Sequence, residues 1–81
     1  MPRATGGTGW WWVDVEIDVE PRRILVQAPT AVVAAASIEG AWREGGVREY
    51  GSDTGHVLVT WRQVATLRVC SAAPVPLTHR R

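Results

Sequence analysis

The sequence predicts one α+β domain: an antiparallel sheet of four to five strands, in ββαββ order, with a single Ala-rich helix packed on one face. Three observations carry this. "WWWVDVEIDVE" alternates apolar and acidic residues with a period of two. "APTAVVAAASIEGAWREGG" switches to a helical period, and "VREYGSDTGHVLVTW" with "VATLRV" returns to short extended runs broken by turn residues. Strands joined as hairpins around a lone helix form an antiparallel sheet with the helix on one side. At 81 residues there is room for one domain, which buries only about 60–65% of its unfolded surface.

Residues 1–9, "MPRATGGTG", are Gly-rich and without periodicity, and read as a flexible N-terminal tail. No strand precedes the Gly run and no Gly-Lys-Ser/Thr follows it, so it is not a phosphate loop. The domain proper spans residues 10–73. In its first strand Trp11, Val13, Val15, Ile17 and Val19 point one way, and Asp14, Glu16, Asp18 and Glu20 the other. "EPRR" breaks the pattern and "ILVQA" resumes it. A turn at Pro21-Arg22 sets Val19 against Ile24, Ile17 against Val26 and Glu20 against Arg23. A four-residue loop has the same parity, whereas a three-residue loop opposes Ile17 with Gln27.

Thr30 then caps a helix whose apolar face carries Ala31, Ala34, Ala35, Ile38, Ala41 and Trp42. The opposite face holds Ser37, Glu39, Gly40, Arg43 and Glu44, with Glu39 and Arg43 spaced for an ion pair. Gly45-Gly46 ends the helix. So many alanines on the buried stripe let the helix lie close to a flat sheet. A second hairpin follows with "SDTG" at its turn. A short closing strand, 64–69, sets Ala65, Leu67 and Val69 on one side, and residues 74–81, "PVPLTHRR", form a flexible C-terminal tail.

The helix from "PTAVVAAA" to "EGG", followed by "VREYGSDTGHVLVTWRQVATLRV", resembles a family of very short actinobacterial proteins of unknown function. The resemblance spans roughly residues 13–70 and lies in pattern and spacing; it carries no catalytic signature. It implies the strand–strand–helix–strand–strand fold and a GC-rich host, and no activity. The codon bias agrees. All nine basic residues are Arg, with no Lys, Asn or Phe, as a GC-rich bacterial genome gives.

A net charge of +1 disfavours a dedicated nucleic-acid binder. No segment approaches the ~20 apolar residues of a membrane span, and the N-terminus lacks a signal peptide; a soluble cytoplasmic protein is expected. The lone Cys70 excludes an internal disulfide, and its apolar strand predicts a buried, inert thiol. His56, His79 and Cys70 do not form a metal-ligand spacing, and no metal or cofactor is expected. Ser52, Asp53 and His56 crowd one turn, which turn chemistry explains better than a catalytic triad does.

The residues left for binding are Trp10, Trp12, Asp14, Glu16 and Asp18. Trp11 and Trp42 read as core, and Trp61 is ambiguous. Trp10 and Trp12 share the parity of the acidic row, where exposed indoles serve as interface anchors. Alternatively the N-terminal tail folds over them, or the strand starts only at Val13. The carboxylates read as a solvated face with arginine neighbours or as a patch for a basic partner; ~6–7 Å spacing along a strand is too wide for adjacent pairs to chelate one cation tightly. The expectation is a non-enzymatic protein-interaction domain that forms a homodimer and meets another, unidentified protein. The alternative is an accessory protein binding nucleic acid through Arg22, Arg23, Arg48, Arg62, Arg68, Arg80 and Arg81.

Overall fold

Alternation in the first third of the chain produces two nine-residue strands, β1 (Gly9–Ile17) and β2 (Glu20–Ala28), paired along their whole length. A computed structural model describes residues 9–76. Helix α1 (Ala31–Glu44) follows, then the hairpin β3 (Val47–Ser52) and β4 (Gly55–Thr60), a short 3₁₀ turn at Trp61–Gln63, and β5 (Leu67–Pro74). The five strands form one antiparallel sheet in the order β4-β3-β2-β1-β5. The expected α+β architecture is the one observed.

The inner face of the sheet meets α1. Val13, Val15, Ile24, Val26 and Ala28 supply the sheet side of the core, and Ala34, Ile38 and Ala41 the helix side. Val59 and Trp61 close one end. The helix ends are those the sequence predicts. Thr30 Oγ1 accepts the N–H of Val33 at 3.2 Å, and Gly45, at φ 76°, donates its N–H to the Ala41 carbonyl at 3.0 Å. The Glu39–Arg43 pair is not made; Glu44 instead accepts from Arg48 at 2.9 Å, tying the last helical turn to β3.

The first hairpin turns earlier than predicted, at Asp18-Val19, with Ile17 opposite Glu20 and Val13 opposite Ile24. Both turn residues are left-handed, at φ 51° and 63°, the signature of a type I′ turn. The cause is pairing length. A turn at Pro21-Arg22 pairs only Val15–Val19 with Ile24–Ala28 before Pro29 intervenes, whereas the observed turn forms nine pairs. The shift is even, so the faces are kept, except that Val19 leaves the core and stands 80% exposed. Pro21 is tolerated because pairs in such a hairpin alternate: the Glu16–Pro21 pair turns its backbone groups away from the shared ladder. Pro21's missing N–H faces the side where β3 does not pair.

The closing strand is also longer than predicted. β5 runs to Pro74, and Val75 still donates its N–H to the Trp10 carbonyl at 3.0 Å, so the ordered domain passes residue 73. A β-bulge between Val69 and Ser71 places Cys70 outside the alternation, exposed and not buried. That extra residue lets Val69 face Val15 while Ala72 faces Val13. The connection from β4 to β5 is held to the first hairpin by Asp18, whose Oδ1 accepts the N–H groups of Ala65 (2.8 Å) and Thr66 (3.0 Å). The predicted tails at 1–8 and 77–81 lie outside the described residues.

Candidate functional site

One helix covers one face, so the opposite, outer face of the sheet stays open. Its residues follow from the register: Ala73, Trp12, Leu25, Gly51 and His56 form one row across all five strands. Trp10 lies in the next row toward the start of β1, and Asp14 with Arg23 and Ser71 in the next row the other way. The face therefore has an apolar half and a charged half. Leu25 leans over Gly51, where an added Cβ would stand 3.4 Å from Leu25 Cβ and Cδ2.

The five tryptophans separate by their indole N–H. Trp11 donates to the Ala28 carbonyl (2.8 Å), Trp42 to the Val64 carbonyl (2.9 Å) and Trp61 to Tyr50 Oη (3.1 Å). These three are inner-face or core residues, and Trp61 is almost fully buried, with Tyr50 packed edge-on at 6.2 Å. Trp10 and Trp12 have no such acceptor among the described residues, and Trp10 is 50% exposed. The predicted binding pair therefore sits on the open face, and Leu25 and Ala73, which sequence reasoning missed, extend its apolar surface. The signal was the cross-strand pairing of Trp12 with Leu25, which becomes visible only once the turn is placed at Asp18-Val19.

The predicted acidic row does not form an acidic patch. Asp14 faces outward as expected, but its carboxylate takes both Arg23 Nε (2.8 Å) and a second Arg23 nitrogen (3.2 Å), and Ser71 Oγ at 3.2 Å. The Arg23 hydrogen bond holds the Asp14 pKa below its usual value, against a smaller opposing effect of burial. Glu16 lies 3.8 Å from Arg68. Asp18 leaves the row for the turn. Arginines on the flanking strands thus neutralise the carboxylates of β1. A groove of about 480 Å³ opens where β2 diverges from the β3–β4 turn, lined by Asp14, Glu16, Arg22, Arg23, Asp53 and His56 among others.

Little catalytic geometry accompanies these groups. Ser52 Oγ accepts from the Thr54 N–H and lies 3.2 Å from its hydroxyl, while His56 reaches toward Glu49 at 3.7 Å. Among the described residues, no three His, Cys, Asp or Glu side chains gather where they could hold a metal ion, and no helix is long and apolar enough to cross a membrane. The described arginines of the nucleic-acid reading are scattered. Arg22 pairs with Glu20, Arg23 with Asp14, Arg48 with Glu44 and Arg68 with Glu16; Arg80 and Arg81 lie outside the described residues.

Fold and site together define a single-helix α+β domain with an open sheet face, aromatic at one end and charge-balanced at the other. Comparison of the chain with protein-family models, curated proteins and solved structures finds no match.

Proposed function

We propose that this chain is a non-enzymatic protein-interaction domain that self-associates, using the outer sheet face around Trp10 and Trp12 as its contact surface. The observation that carries the reading is the contrast among the tryptophans: three bury and bond their indoles, while two stand on the open face without an acceptor. Trp is the residue type that most often anchors interfaces. The size is suitable. Five strands ~4.8 Å apart and about 20–30 Å long present a face of about 500–700 Å² in projection, close to the ~800 Å² of accessible surface each partner gives to a standard interface. The charged half carries acids on β1 flanked by arginines on β2 and β5, a pattern that a two-fold rotation can set against itself.

Light scattering across a dilution series tests this. The expected mass at micromolar concentration is near twice 8.9 kDa, and Trp10→Ala/Trp12→Ala weakens the association at least tenfold. A monomer at every concentration, or a double variant that assembles like the parent, refutes the assignment.

A further inference from the structure

The two edges of the sheet differ. On β5 the bulge at Cys70 and Pro74 at the end interrupt regular pairing, devices by which natural sheets discourage edge-to-edge association. On β4, "GHVLVT", there is no proline, bulge, lysine or arginine, and all six residues pair in unbroken register with β3. Ser52 and Gly55 flank the two-residue turn, so the pairs Ser52–Gly55, Tyr50–Val57 and Arg48–Val59 exchange the ladder hydrogen bonds. His56, Leu58 and Thr60 must therefore aim their N–H and C=O groups off the edge, and no backbone partner meets them among the described residues. Leu58, 68% exposed, stands at the centre of these three. A groove of about 320 Å³ runs beside this edge, lined by Val57 to Thr60 in succession and by Ile17 and Val64 across from them. Four successive residues along one groove mark it as following the strand's backbone rather than one of its faces.

We propose that the occupant of this edge is a second copy of the chain, its own β4 added antiparallel about a two-fold axis at Leu58. The sequence of the strand is self-complementary in that register. Leu58 meets Leu58 of the partner subunit and His56 meets Thr60 of the partner subunit, and the three outward residues on each copy satisfy one another's backbone groups. Beneath, Val57 lies beside Val59 of the partner subunit, so apolar side chains meet on the inner face as well. An arbitrary peptide could match the hydrogen bonds; the symmetric apolar match on both faces favours the chain itself. This rests on the self-association proposed above, but moves its contact from face to edge.

The test uses charge at the axis. Leu58→Lys and Leu58→Glu each place like charges against each other across the two-fold, and each is expected to raise the dimer dissociation constant at least tenfold in sedimentation equilibrium. An equimolar mixture of the two is expected to recover a heterodimer near twice 8.9 kDa, which a general loss of folding cannot produce. Amide exchange at His56, Leu58 and Thr60 slows at least tenfold as concentration rises, while Val57 and Val59 are protected throughout. Single variants that dimerise like the parent, or no recovery on mixing, overturn the edge proposal. If Trp10→Ala/Trp12→Ala alone abolishes the dimer, the edge falls and the face reading stands; a parent chain that stays monomeric sinks both.

Discussion

Val19 occupies a left-handed conformation, φ 63°, which β-branched residues seldom adopt. The region costs an L residue about 1–2 kcal/mol, and Val belongs at the upper end. Little is gained in return. With the side chain 80% exposed, burial contributes about a fifth of the ~1.5–3 kcal/mol of a fully buried valine. Replacing Val19 by Gly relieves the strain, forfeits that small burial, and concedes about 0.5–1 kcal/mol to the freer unfolded chain. Strain relief exceeds the two losses by about 0.5–1 kcal/mol. For a domain of this size the melting temperature then rises by about 2–8 °C.

The neighbouring residue supplies the control. Asp18 is left-handed too, at φ 51°, so Asp18→Gly gains similar relief. It also deletes the oxygen that accepts the Ala65 and Thr66 N–H groups at 2.8 and 3.0 Å. Hydrogen bonds to a charged acceptor are worth about 1.5–3 kcal/mol each; with the carboxylate exposed, the low end applies. Asp18→Gly is therefore net destabilising by about 1 kcal/mol or more, although both variants place glycine in the same turn. Thermal and urea unfolding followed by circular dichroism, at one fixed protein concentration, measures both. A Val19→Gly variant that melts lower than the parent, or two variants that shift the same way, refutes the strain argument and the turn placement with it.

Two further outcomes follow from the core and the charged face. Trp61→Ala empties a site that is almost fully buried and strips Tyr50 Oη of its donor; it should cost about 3–5 kcal/mol in urea unfolding, and a cost under ~1 kcal/mol removes Trp61 from the core. Asp14 has its folded-state pKa lowered, chiefly by the Arg23 hydrogen bond, so its contribution is present above the usual carboxylate pKa and fades as pH falls through the lowered value. The stability gap between the parent and Asp14→Asn should therefore narrow from pH 5 toward pH 2, and parallel urea-midpoint curves over that range contradict the pairing.

The parts of the fold legible in the sequence were those set by local chemistry. Thr30 and Gly45 bound the helix because a hydroxyl and a missing Cβ act within one turn of where they sit. The parity of Val13, Val15, Ile24 and Val26 was legible because period two does not depend on where the hairpin closes. The turn itself was not. Asp-Val lacks the Asn-Gly or Asp-Gly chemistry of a type I′ turn, Pro21 offered a more conventional break, and pairing length, which neither residue announces, decided between them. Cys70 was misplaced for a related reason: a bulge is a compromise between two strands far apart in sequence, Val13–Val15 and Val69–Ala72. In the candidate site, Trp10 and Trp12 on the open face followed from parity alone. The neutralisation of Asp14 and Glu16 did not, since it required knowing that β2 and β5 flank β1.

Edge and face make different demands on assembly. With β4 joined to β4, β1 of one copy lies seven strand steps from β1 of the other, about 34 Å away at ~4.8 Å per step. A twist of about 20–25° per step turns the second tryptophan pair by about 150°. The two aromatic patches then face nearly opposite directions, so they cannot close on each other within the dimer and remain free for further contacts. If the face also pairs with itself, each copy carries two distinct two-fold contacts, and association continues beyond the dimer into tetramers or open chains. The concentration dependence of mass separates these cases. A plateau at twice 8.9 kDa means that one surface self-associates and the other is kept for a different partner. A mass that keeps rising, and that Leu58→Lys caps at the dimer while Trp10→Ala/Trp12→Ala also caps at the dimer, means that both surfaces bind copies of the chain.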